Sequence, residues 1–392
     1  NNIISYAESI FETFEEKPLS EVDSLILSWL SYVNIPKEIS GAHTDEGIRL
    51  QELFCAEHFD EMFAHIWDEK SCRKLFFHLA SSPRFRDIVV CNYVKMKDVN
   101  IQKEFCAVTF RLTSDMSYVS FRGTEPTLLG WKEDFNMAFQ SPIPSQDEAR
   151  KYVMDLQNLD GRKLILGGHS KGGNLASYAA SQVEPHLQKR IQSIYSYDAP
   201  GLNRSIIESS GYKAIVSKIH SFIPQGSIVG MMLETPKEME IVKSTALGGF
   251  SQHDTFSWQI KDENFVLLDR LNPDSLQTDR TLKRWVKDTP DAELKDFFDL
   301  FFGLILDAGI TSINDFSKIE NTRKVLDIFK NAGALSPEEK EMLTRLTKIL
   351  VDMRYQSWKD DMTLPHPGKF VQDVKDNLSE ISKNLPFHND KS

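Results

Sequence analysis

The sequence predicts an α/β chain with a mostly parallel sheet carrying helices on both faces, preceded by N-terminal helices and followed by a C-terminal helical region. Three observations predict it. Short Val- and Ile-rich runs alternate with helical patterns between residues 82 and 262, the arrangement that builds parallel sheets. Residues 1–81 and the stretch after Asp262 read instead as helices. Glycines sit where an apolar run passes directly into a helix, at Gly167-Gly168-His169-Ser170-Lys171-Gly172-Gly173. These define an N-terminal helical region over 1–81, a core over 82–262 and a C-terminal helical region over 263–392.

Taken in order, Ser20 can cap a helix whose apolar set is Val22, Leu25, Ile26, Trp29 and Leu30, with Pro36 beyond it. Further helices are expected over Ile48–Trp67 and Ser71–Leu79. Strands come next at Asp87–Lys95, Glu104–Leu112 and Ser117–Arg122, the last stopping at Gly123. Asp147–Leu159 reads as a helix, Lys163–Leu166 as a strand and 172–183 as a helix. Ile191–Tyr197 and Lys218–Ile223 are short strands closed by turns at Pro200-Gly201 and Pro224-Gln225-Gly226. Phe297–Ile310, broken by Asp299 and Asp307, is too short and too charged to span a bilayer and reads as a buried helix. Gly333 is expected to end one helix. Ser336-Pro337-Glu338-Glu339 is expected to start another, with Met342, Leu346, Ile349, Leu350 and Met353 along one face. The stretch from Pro365 is polar.

Composition narrows function. The hydrophobic share of 41% and charged share of 26% are ordinary for a globular chain. The net charge of -11 argues against a nucleic-acid binder and against simple electrostatic docking on anionic lipid. The first residues lack a secretory pattern. Cys55, Cys72, Cys91 and Cys106 form no C-x-x-C pair and have no His at metal-ligand spacing, so they read as reduced thiols of a cytoplasmic protein.

The chemistry sits in Gly168-His169-Ser170-Lys171-Gly172, a G-x-S-x-G between an apolar strand and a helix. That context makes it a nucleophile elbow, as in α/β-hydrolases. The turn brings the chain on either side of the serine into close approach, which only very small residues permit. A serine hydroxyl needs a base. In the α/β-hydrolase order the base lies downstream, after an acid. His186, His220, His253, His366 and His388 lie downstream, and His253, in a loop just past the sheet region, is the candidate base. Asp198, at the carboxyl end of the strand after the elbow helix, is the candidate acid. Such an Asp can equally cap its turn. For the oxyanion hole, Lys171 offers its backbone N–H, and Thr124, after the strand ending at Gly123, can offer N–H and hydroxyl. No metal or organic cofactor is implied.

Phe121-Arg122-Gly123-Thr124, then Trp131 and Asp134, then Gly168-His169-Ser170, resemble the class 3 (fungal-type) lipases. The fuller pattern is similar to the Mbeg-like proteins, a mainly bacterial group of α/β-hydrolases. It adds Gly172-Gly173-Asn174, Tyr197-Asp198-Ala199-Pro200-Gly201, Pro224-Gln225-Gly226-Ser227 and His253 to Trp258. The resemblance implies Ser170 as nucleophile, His253 as base, and Thr124 and Lys171 as oxyanion donors. It implies a lid at Glu125–Gly130, where Leu128 and Leu129 could face lipid. In one respect the chain departs. Class 3 lipases carry their acid after the strand that here reads Ile219–Ile223, and the matching residue is Ser227. Asp198 instead resembles the acid of pancreatic-type lipases.

The expected function is hydrolysis of a small-molecule or lipid carboxylic ester through an acyl-enzyme. Turnover should then fall as pH drops through the ordinary histidine range near about 6.5. A binding or scaffolding protein that has lost turnover, and an acyltransferase, are the alternatives.

Overall fold

The computed structural model describes residues 1–343 apart from 126, 160, 228, 232, 234–237, 247–248, 311–318, 332–335, 338–339 and 342. The expected features at Gly333, Ser336–Met353 and Pro365 onward therefore lie largely outside the described residues.

The strands are β1 (Ile48–Arg49), β2 (Val89–Asp98), β3 (Lys103–Arg111), β4 (Met116–Phe121), β5 (Lys163–His169), β6 (Ile191–Tyr197), β7 (Ile219–Pro224), β8 (Glu240–Val242), β9 (Ile260–Lys261), β10 (Asn264–Phe265) and β11 (Leu267–Leu268). The helices are α1 (Ile3–Ser9), α2 (Glu21–Leu30), α3 (Phe59–Met62), α4 (Glu69–Ser81), α5 (Leu128–Asn136), α6 (Pro144–Leu159), α7 (Lys171–Gln182), α8 (Pro185–Arg190), α9 (Arg204–Ile207), α10 (Ser210–Ile215), α11 (Pro273–Asp288), α12 (Asp291–Asp307) and α13 (Ile319–Asn331).

Among the described residues one nine-stranded sheet runs β1-β2-β3-β4-β5-β6-β7-β8-β11. Strands β4 to β8 are parallel, and the pairs toward either edge are antiparallel. Side chains alternate between two packed layers. Tyr118 and Ile165 face the N-terminal helices with Leu25, Ile26, Leu75 and Phe76. Val119, Leu164 and Leu166 face α6 and α7 with Val153, Leu156, Leu175 and Ala179. Burial on both faces is why these strands read as unbroken apolar runs.

Helix α2 starts at a capping box in which Ser20 accepts from the Asp23 N–H. It ends at Leu30, before Pro36. Its Ser24 and Ser28 hydroxyls lie 2.7 and 2.8 Å from the Tyr118 hydroxyl, binding the helix to β4. The Arg84 guanidinium and the Asp23 carboxylate form a fully buried pair beneath it.

Two expectations need correction. Ile48–Trp67 is not one helix. Ile48 and Arg49 pair with Val90 and Val89 at the sheet edge, and two 3-10 turns and the four-residue α3 come after them. Gly47, at φ 73°, turns the chain into that edge with Val89 and Val90 packed too close for a side chain. The β signal also extends past the expected limit at Asp262, through β10 and β11.

Phe297–Ile310 falls mainly in α12, whose Leu294, Phe298, Phe301 and Ile305 are buried. Helix α12 packs on α5 through Phe135 and Phe298, with ring centroids 5.3 Å apart, and through a Lys132–Asp299 pair at 2.9 Å. Among the described residues no helix is long and apolar enough to cross a membrane. All four cysteines are free thiols.

Candidate active site

Parallel strands end together, so the residues just past their ends gather at a single sheet edge. The register pairs Phe121 with Gly168, His169 with Tyr197, and Tyr197 with Phe222. Thr124, Ser170, Asp198 and Ser227 therefore come just after neighbouring strand ends. The ladder runs one step beyond the strands: the Ser170 N–H donates to the Tyr197 carbonyl at 2.9 Å, and the Asp198 N–H to the Phe222 carbonyl at 2.7 Å. Both residues are pinned from below.

Ser170 caps α7 with φ 58° and ψ -134°, a conformation non-glycine residues seldom adopt. The glycine requirement is met as expected. A Cβ on Gly168 would overlap the Gly172 backbone, and one on Gly172 would overlap the Phe121 carbonyl. Asp198 also has positive φ, 44°. Its side chain does not merely cap its own turn. Oδ2 lies 2.6 Å from Nδ1 of His253. Oδ1 accepts from the Ser227 hydroxyl and, at 3.0 Å, from the Gly230 N–H. Ser227 thus contacts the candidate acid on the neighbouring strand end. Asp198 and Ser227 are both about 1% exposed.

His253 ends a 3-10 turn over Gly249–His253. The preceding Gln252 accepts from the Gly226 N–H at 2.6 Å, and its carbonyl accepts from Nε1 of the fully buried Trp258 at 2.8 Å. The His253 carbonyl meets Nε2 of His169 at 2.9 Å, and the two rings are 4.4 Å apart between centroids. A carbonyl only accepts, so His169 carries its proton on Nε2, and its Nδ1 accepts from the Tyr32 hydroxyl at 2.8 Å. Burial, with His253 adding, holds His169 well below the usual histidine range, so the ring is neutral. The histidine beside the candidate nucleophile therefore holds the backbone of the candidate base.

On the other side, Gly123 packs against Ser170: a Cβ there would lie 3.1 Å from the Ser170 Cβ. Thr124 comes next, nearly fully buried, and its hydroxyl donates to Oδ2 of Asp134 on α5. The sequence suggests that Thr124 offers both N–H and hydroxyl to an oxyanion; in the structure the hydroxyl is directed at Asp134. Burial chiefly raises the Asp134 carboxyl to about 7, with Glu133 and Glu104 adding to the rise and Lys171 and the Thr124 hydroxyl opposing it. The Lys171 side chain turns inward, donating to the Glu104 carbonyl at 2.8 Å and to Glu133 Oε1 at 3.0 Å.

Arg122, also buried, donates to the Ser31 and Val33 carbonyls and pairs with Glu125 at 2.7 Å. Burial pushes Glu125 up, but the Arg122 and Lys95 charges outweigh it and hold the carboxyl down at about 2. The expected lid segment Glu125–Gly130 runs into the first turn of α5, which Thr127 caps through the Gly130 N–H. Among the described residues no three His, Cys, Asp or Glu side chains converge as a metal ligand set.

A family model, Mbeg1-like, matches residues 79–303, more than half of the chain. The chain belongs to the Mbeg1-like family. Three solved lipases align with this Mbeg1-like chain at low identity. M37 lipase is 13% identical, with 69% of this chain and 82% of the lipase covered and a TM-score of 0.38. The lipase of Rhizopus microsporus var. chinensis is 16% identical, covering 62% and 84%, with a TM-score of 0.31. The Rhizomucor miehei lipase in its propeptide complex is 14% identical, covering 55% and 70%, with a TM-score of 0.28. No curated protein sequence matches the chain. The mostly parallel sheet with helices packed on both faces, and the strand–turn–helix around Ser170, make the architecture of this Mbeg1-like protein an α/β-hydrolase fold.

The sequence singles out Ser170, His253, Asp198, Thr124, Lys171, Gly168 and Gly172, and the fold gathers all seven at one sheet edge. It does not single out the side-chain roles of Tyr32, His169, Gln252, Trp258 and Glu133. Only His169 carries a usable signal, as the residue inside the elbow.

Proposed function

We propose that this Mbeg1-like protein is a serine hydrolase that cleaves carboxylic esters, of a small molecule or a lipid, through Ser170, His253 and Asp198. The observation that carries the reading is the 2.6 Å approach of the buried Asp198 carboxylate to His253 Nδ1, beside a serine held at positive φ on a helix N-terminus. The carboxylate accepts from Nδ1–H, which leaves the Nε2 lone pair for the serine proton. Ser170 Oγ attacks the carbonyl carbon while Nε2 takes its proton. The oxyanion is received by the backbone N–H groups of Lys171 and Thr124, and the α7 dipole favours its charge. Nε2 then protonates the leaving alcohol, and the acyl-enzyme is hydrolysed by water activated at the same nitrogen. Residues 82–262 form the catalytic unit in this reading. The four free thiols fit a reducing, cytoplasmic setting.

Labelling by a fluorophosphonate probe tests it. Wild type should label, Ser170→Ala should not, and Asp198→Asn should label far more slowly. One observation favours a second reading. Ser170 is only 3% exposed, so a closed site on a binding protein without turnover also fits. A well-folded wild type that hydrolyses no ester and takes no label would select it.

A further inference from the structure

The Lys171 side chain is a buried group that the proposed reaction does not use. It sits at the first residue of α7, where the helix dipole disfavours a cation. Yet it is only 1% exposed. Burial pulls its ammonium toward neutrality, and Glu133, Asp134 and Glu104 together more than offset that pull. Glu133 is itself fully buried, and Oε1 also accepts from the Ser145 hydroxyl at 2.6 Å. A buried ion pair is commonly no more stabilising than well-packed apolar side chains. Stability alone does not explain a charge pair at this position.

Its connections do. The Lys171 ammonium ties the residue after the nucleophile to β3, through the Glu104 carbonyl, and to α5, through Glu133. The next residue of α5, Asp134, holds the Thr124 hydroxyl. Two adjacent carboxylates of one helix thus fix the two chain segments that bracket Ser170. We propose that the Lys171–Glu133 pair positions the oxyanion hole, holding the Lys171 N–H on the bearing that the developing oxyanion requires. This rests on the hydrolase reading above and adds Lys171 Nζ and Glu133 to it as positioning groups, not catalytic ones.

The test compares wild type with Glu133→Gln and with the double variant Glu133→Gln/Lys171→Met, which removes both members of the ion pair together. Two readouts are taken: kcat and KM on p-nitrophenyl butyrate, and the rate of fluorophosphonate labelling, whose phosphoryl oxygen occupies the same hole. The double variant should keep a cooperative thermal transition and a KM within about twofold of wild type. Its kcat and labelling rate should fall at least about tenfold, in the range seen when one oxyanion donor is compromised. The pH midpoint of the acid limb should not move, because His253 and Asp198 are untouched. Wild-type kcat in the double variant would overturn the proposal, as would a loss that appears only in KM. Should the double variant fail to fold, Glu133→Gln carries the same comparison. A wild type that neither turns over nor labels would overturn the hydrolase reading itself, which the variants' failure alone would not.

Discussion

Replacing Asp134 by Asn should stabilise the protein at neutral and alkaline pH and change little in acid. Asp134 lies beneath the candidate oxyanion hole, and its Oδ1 has no hydrogen-bond partner among the described residues. Its carboxyl rises from 3.8 to about 7, mainly through burial. Below pH 3.8 both the folded and the unfolded chain hold the proton, and the group contributes no pH dependence. Between 3.8 and 7 the unfolded chain has released it and the folded chain has not, so stability falls as pH rises. Above 7 both are ionised and the full penalty stands. At 1.36 kcal/mol per pH unit, the span amounts to about 4 kcal/mol. Asn cannot ionise, and its Oδ1 can accept the same Thr124 hydroxyl. Urea unfolding of both proteins at pH 4, 6, 7 and 8 measures the effect, and subtracting one series from the other removes the titrating groups that do not interact with Asp134. The Asn advantage should grow from near zero at pH 4 to about 4 kcal/mol at pH 8. A difference that stays constant across the series, or shrinks as pH rises, would refute the reasoning.

Three further outcomes are expected. Asp198→Asn should slow ester turnover by roughly 10³–10⁴-fold, since an amide cannot hold the imidazole in the working tautomer; adding Ser227→Asp should recover at least about tenfold, because Ser227 already touches the same carboxylate, and steady-state kinetics decides. Tyr32→Phe leaves the buried Nδ1 of His169 without its donor and should cost about 1–3 kcal/mol in urea unfolding. Gly172→Ala drives a methyl into the Phe121 carbonyl and should destabilise by about 3 kcal/mol or more, read as a fall in melting temperature.

How much of the fold and the site is legible in the sequence depends on how locally each feature is determined. The elbow is written in consecutive residues, because the overlap that excludes a Cβ at Gly168 involves Gly172, four positions on. Asp198 and His253 are legible through the order of groups along the chain, although they meet across 55 residues. Tyr32 reaches His169 across 137 residues, and nothing near either one signals it. Lys171 stands out in the sequence for its N–H alone; its side chain depends on Glu133, on a helix whose start reads as part of a lid. The misreading of Ile48–Trp67 has a similar origin. Leu50, Leu53 and Met62 are buried as a helix face would be, but the pairing of Ile48 with Val90 is a long-range contact. Strands of two or three residues, such as β8 and β11, are too short for any periodicity to register.

The tie between Tyr32 and His169 sets a lower bound on the smallest useful fragment of this protein. The span matched by the family model begins at residue 79, and trimming to it would look natural when designing an expression clone. Such a clone would discard α2, expose one face of β4 and β5, and remove the hydroxyl that fixes the ring next to Ser170. The shortened gene product would be missing a wall of the candidate site, so a silent fragment would say nothing about the chain of 392 residues.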